Sequence, residues 1–97
     1  SVLTLAALAF IQASMGRRTE ALKTLAALMA ASPEYVAPVN VALIHSALED
    51  REAAFQWLER ARASRSTRLI HLKIEPGFDS LKTDGRFVSI LTSMGLL

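Results

Sequence analysis

The stretch YVAPVNVALIHSALEDREAAFQWLERA, residues 35–61, holds two apolar runs of helical period set back to back around a short acidic break. That order predicts a helical hairpin. In the first run Val41, Ala42, Ile44, His45 and Leu48 fall on one side of a helix, and in the second Ala54, Phe55, Trp57, Leu58 and Ala61 do the same. The break, Leu48-Glu49-Asp50-Arg51, offers Asp50 as N-cap of the second helix. Glu52 follows in its first turn, where the helix dipole favours an acid.

A lone hairpin cannot bury both of its apolar faces, so a stable chain needs copies to stack on it. A shift of about 33 residues supplies one, pairing Leu8 with Val41, Ala9 with Ala42, Ile11 with Ile44 and Met15 with Leu48. The same shift pairs Arg18 with Arg51, Ala21 with Ala54, Leu22 with Phe55, Leu25 with Leu58 and Leu28 with Ala61. These are read as mostly interior positions, with small residues where helix backbones approach closely. A helix–turn–helix repeat of this length matches the tetratricopeptide period.

The series Ala21, Leu25, Leu28, Pro33 resembles the tetratricopeptide pattern, and Met15-Gly16-Arg17-Arg18-Thr19-Glu20-Ala21-Leu22 resembles that family's turn between helices. Residues 35–48, 54–61 and the segment EPGFDSLKTDGRFVSILTSMGL are similar to the carboxy-terminal tetratricopeptide region of bacterial multidomain signalling proteins, where it follows a nucleotide cyclase, winged-helix or kinase domain. The sequence departs from the pattern at Gly85, where the family usually has proline, and at Glu49, where it usually has glycine. The resemblance implies an all-α fold of about six helices stacked as a short right-handed solenoid. Repeat one spans about 2–33, repeat two about 35–65, and a closing helix pair about 66–97.

At 97 residues the chain has room for one core and little else. Apolar residues make up 52%, too many for a disordered chain. The net charge of +2 selects no partner. Without cysteine there is neither a disulfide framework nor thiol chemistry, which fits a cytoplasmic location. The chain starts at Ser1 inside a helical pattern and reads as a fragment of a larger protein. The uncharged run 1–15 lacks the basic region of a secretory signal and the ~20 apolar residues of a membrane span. It reads as a buried first helix.

In order, a first helix is expected over about 3–15, stopped by Gly16, and a second from an N-cap at Thr19, burying Ala21, Leu22, Leu25, Leu28 and Met29. The third begins near Val36 or Val39 with Pro38 in its first turn, and the fourth runs over about 51–63. Its Trp57 is the largest apolar group in the chain; if buried, truncation to alanine would cost about 3–5 kcal/mol. Ser66 or Thr67 caps a helix over about 67–73, limited by Pro76. Phe78 and Leu81 then plug the core from an irregular turn. A last helix from Thr83 or Asp84 buries Phe87, Ile90, Leu91 and Met94 and stops at Gly95.

Candidate chemistry is sparse. His45 and His71 lack a second ligand at helical spacing, so His45 reads as structural, His71 as an exposed or partly buried face residue, and no metal or cofactor is expected. The four glycines are isolated, which excludes a phosphate loop. Asp79 and Asp84 read as turn and cap residues, and no catalysis is expected. Arg60, Arg62, Arg65, Arg68 and Lys73 form a basic surface with no acid between Glu59 and Glu75. Nucleic-acid or phosphate contact there is the alternative reading, weakened by the lack of interleaved aromatics for stacking bases.

The resemblance implies recognition of a protein or peptide through a groove lined by the first helix of each repeat. That maps to Ala6, Phe10, Ala13 and Ser14 in repeat one, and to Val36, Val39, Asn40, Leu43, Ser46 and Ala47 in repeat two. Only Asn40 matches the residues with which chaperone-binding members of the family hold a terminal carboxylate, so that activity is not expected. Leu3, Ala6, Ala7 and Phe10 form a second candidate surface, for self-association as a homodimer.

Overall fold

The computed structural model describes residues 2–31, 37–64 and 75–95, and among these every regular element is helical. The elements are α1 (Val2–Ser14), α2 (Arg18–Ala31), α3 (Pro38–Ala47), α4 (Arg51–Ala63), a 3₁₀ helix (Pro76–Leu81) and α5 (Gly85–Ser93). The expected helix over 67–73, its caps Ser66 and Thr67, and His71 lie outside the described residues.

Helices α1 and α3 end in the same way. In α1 the Gly16 N–H donates to the Ala13 carbonyl (3.1 Å) and the Arg17 N–H to the Gln12 carbonyl (2.9 Å), with Gly16 at φ 79°. In α3 the repeat mates do this again: Glu49 N–H to Ser46 carbonyl (3.0 Å) and Asp50 N–H to His45 carbonyl (2.9 Å), with Glu49 at φ 63°. This left-handed closure satisfies carbonyls that a helix end otherwise leaves unpaired. It reverses the chain sharply enough that α1–α2 and α3–α4 each form a hairpin.

Local chemistry sets the other boundaries. Asp50 accepts from the Ala53 N–H (3.3 Å) and caps α4; Asp84 accepts from the Arg86 N–H (2.9 Å) and caps α5. Pro38 occupies the first position of α3, where its missing N–H costs nothing. Gly95, at φ 72°, follows the end of α5. Thr19 is not a cap: the α1 closure ends at Arg17, whose carbonyl already accepts from the Ala21 N–H (2.9 Å), so α2 begins at Arg18.

Two clusters make the core. In one, Val41, Ile44 and Leu48 of α3 pack with Ala6, Ala9 and Ala13 of α1 and Ala21, Leu25 and Leu28 of α2. In the other, the α3–α4 hairpin, through Ala42, Ala54, Leu58 and Ala61, meets Phe78 and Leu81 of the 3₁₀ helix and Phe87, Ile90 and Leu91 of α5. Met94 is half-buried beside the second cluster, and Trp57 is half-buried between the two. The repeat alanines Ala9, Ala42, Ala21 and Ala54 are wholly buried, so each hairpin approaches its neighbour through methyl groups.

One polar link recurs between units. The Arg18 guanidinium, at the start of α2, donates to the Leu48 carbonyl at the end of α3 (3.0 Å). Its repeat mate Arg51, at the start of α4, donates to the Ser80 carbonyl in the 3₁₀ helix (3.0 Å).

Not every paired position is interior. Leu8, Ile11, Met15 and Leu22 are exposed, whereas their mates Val41, Ile44, Leu48 and Phe55 are buried. The reason is neighbours, not helical phase. Phe55 lies in the cluster with α5 and under the Arg86 guanidinium, 4.3 Å from the ring centroid, and no described residue covers Leu22 in that way. Met29, also expected in the core, is half-buried.

Candidate functional site

The groove expected along α1 and α3 is filled by the chain itself. Ala6, Ala13, Val39 and Ser46 are buried; Phe10, Asn40, Leu43 and Ala47 are half-buried; Ser14 is exposed, and Val36 lies outside the described residues. The Ser46 hydroxyl donates to the Gly77 carbonyl (2.7 Å), anchoring the 3₁₀ helix over α3. A side-chain carbon added at Gly77 would strike Leu43 Cδ2 and come within 3.5 Å of Phe10 Cε2. Only a residue without Cβ fits that close approach. Glu75 caps this helix by accepting from the Gly77 N–H (3.1 Å).

The residues expected to drive self-association do not form one open patch. Ala6 belongs to the core, Phe10 packs against it, and only Ala7 is exposed; the Leu3 side chain lies outside the described residues. The apolar surface that α1 does expose is Leu8, Ile11 and Met15, at 43%, 53% and 61% of their accessible area. Their spacing puts them on one helix face. Their repeat mates Val41, Ile44 and Leu48 are 1%, 1% and 7% exposed because α1 and α2 cover them. The signal for this face was present in the repeat itself, which marks the stripe as one that wants a cover.

The basic surface is partly engaged. Arg60 stacks on Trp57, its guanidinium carbon 4.3 Å from the ring centroid, and Arg62 pairs with Glu59 at 2.7 Å. Arg65, Arg68 and Lys73 lie outside the described residues. At the other end of α4, Arg86 joins Glu52 (2.8 Å) and Asp84 (3.1 Å), and Arg51 approaches Asp84 at 3.7 Å. The hydrogen bonds from Arg86 hold the Asp84 carboxyl below the usual carboxylate range.

His45, next to Ser46, is a second polar side chain inside the repeat. It is half-buried, and its Nδ1 is buried without a hydrogen-bond partner among the described residues. Burial lowers its pKa, Asp50 opposes this, and Arg18 adds to it. Among the described residues no group of three or more His, Cys, Asp or Glu is placed to hold a metal ion. None of the described helices is long and apolar enough to cross a membrane.

Comparison with protein-family models, curated proteins and solved structures yields no match to this chain.

Proposed function

We propose that the chain is a non-catalytic recognition module of tetratricopeptide-like hairpins, part of a larger bacterial regulatory protein, and that it binds a protein through the outer face of α1. The single observation that carries this reading is the exposed stripe Leu8, Ile11, Met15, set where the second repeat buries Val41, Ile44 and Leu48. Contiguous apolar surface of this kind marks interaction sites. The repeated left-handed closures at Gly16 and Glu49 and the repeated arginine links support a stacked-repeat architecture. The groove is a weaker candidate because the 3₁₀ helix lies in it.

A photo-crosslinking residue placed at position 11 in the living cell tests the reading, with position 22, also exposed, as the reference. Discrete protein adducts at 11 that are absent at 22 are expected. Equal labelling at both positions would refute a binding face on α1. Salt-sensitive retention of the purified chain on nucleic acid would favour the basic surface instead.

A further inference from the structure

Resting on the reading above, we infer that the occupant of the Leu8–Ile11–Met15 stripe is another helical hairpin of the same build, one that presents small residues and an arginine at the start of its second helix. Two independent features of the molecule carry this.

The first is continuity with an interface already formed. Within the chain, Val41, Ile44 and Leu48 are covered by a hairpin face whose contact residues include Ala9, Ala13, Ala21 and Leu25. The stripe on α1 is the same set of positions one repeat earlier. A face of that alanine and leucine pattern therefore fits it in the same register, large side chains entering the spaces between small ones.

The second is a carbonyl. Arg18 donates to the carbonyl of Leu48, which caps the end of α3. Met15 is the repeat mate of Leu48, and no donor among the described residues reaches its carbonyl. An arginine on the occupant, placed as Arg18 is placed on the α1–α2 hairpin, would donate to it.

A second copy of this chain does not meet the same requirements. Its matching face, Ala42, Ala54, Leu58 and Ala61, is already covered by the 3₁₀ helix and α5. Stripe against stripe remains geometrically open. It would set Leu8, Ile11 and Met15 against the same large side chains, without the small residues that receive Val41, Ile44 and Leu48 within the chain.

The test joins a second copy of residues 2–34 ahead of Val2, which keeps the repeat spacing, and follows urea unfolding of this fusion and of the parent chain. The expected result is one cooperative transition with a higher midpoint and a steeper denaturant dependence than the parent. Ile11→Lys with Met15→Lys, made in the original repeat, leaves the parent's midpoint unchanged and returns that of the fusion to the parent's value. Arg18→Ala in the added copy alone lowers the fusion's midpoint part of the way. An added hairpin that melts separately, or a fusion indifferent to the lysine pair, overturns the inference. So does light scattering that finds the parent dimeric and Ile11→Lys monomeric, since the occupant is then a second copy. In either case adducts at position 11 in the cell would leave the binding face standing and remove only its assignment to a hairpin.

Discussion

Replacing Glu49 by glycine should make this protein more stable. Glu49 is the one non-glycine among the described residues with positive φ, 63°, and its repeat mate Gly16 holds the same conformation at φ 79°. For an L-residue the left-handed region costs about 1–2 kcal/mol, because Cβ crowds the carbonyl. Glycine removes that strain but adds unfolded-state freedom worth roughly 0.5–1 kcal/mol. The Glu49 side chain is exposed and makes no hydrogen bond or ion pair among the described residues, so its loss subtracts little. The net expectation for Glu49→Gly is a gain of about 0–1.5 kcal/mol, centred at ~0.75 kcal/mol. In a domain of this size the central value raises Tm by about 3–6 °C, with an unchanged slope in urea. Glu49→Ala keeps the strain and serves as the control. Gly16→Ala should do the reverse and lose about 1 kcal/mol through backbone strain alone, since an added Cβ there meets nothing within 4 Å. A Glu49→Gly variant no more stable than Glu49→Ala would refute the reasoning.

Other outcomes follow from burial and charge. Ile44→Ala should cost about 2–5 kcal/mol and Ile11→Ala no more than about 0.5 kcal/mol in the isolated chain, compared by urea midpoints, because the first is 1% exposed and the second 53%. Phe78→Ala should cost about 3–5 kcal/mol, since Phe78 is wholly buried with its ring centroid 6.3 Å from that of Phe87; a loss under about 1 kcal/mol would mean the 3₁₀ helix does not close the core. Because burial lowers the pKa of His45, the unfolded chain binds that proton more readily than the folded one. Stability is therefore full above the ordinary value of about 6.5 and falls as the pH drops from there toward the lowered native pKa. Urea midpoints from about pH 8 to about pH 5 should show this decline in the parent and less of it in His45→Phe.

Local chemistry made much of the fold legible. Asp50 announces α4, and the glycines at 16 and 95 announce helix ends, because caps and left-handed closures depend on a few adjacent residues. The left-handed turn at Glu49 is less obvious from the residue itself, but its repeat mate Gly16 points to it. Period proved a weaker guide to Leu8, Ile11, Met15 and Leu22. It tells which side chains share a face, and not whether a neighbour lies over that face. What lies along the groove was hidden for a related reason: the bond from Ser46 to Gly77 joins residues far apart in sequence, and nothing in the α3 pattern forecasts that the 3₁₀ helix settles there. The candidate site thus became visible only when exposure was laid over the repeat.

The Phe78, Leu81, Phe87, Ile90 and Leu91 cover over the α3–α4 hairpin has a meaning beyond stability. A protein with complementary sticky surfaces at opposite ends invites its copies to add one after another without limit, the geometry of fibres. Here one of those ends is plugged. Among the described residues, the α3–α4 face that would match the α1 stripe is already covered, so this pair of surfaces cannot add copy to copy.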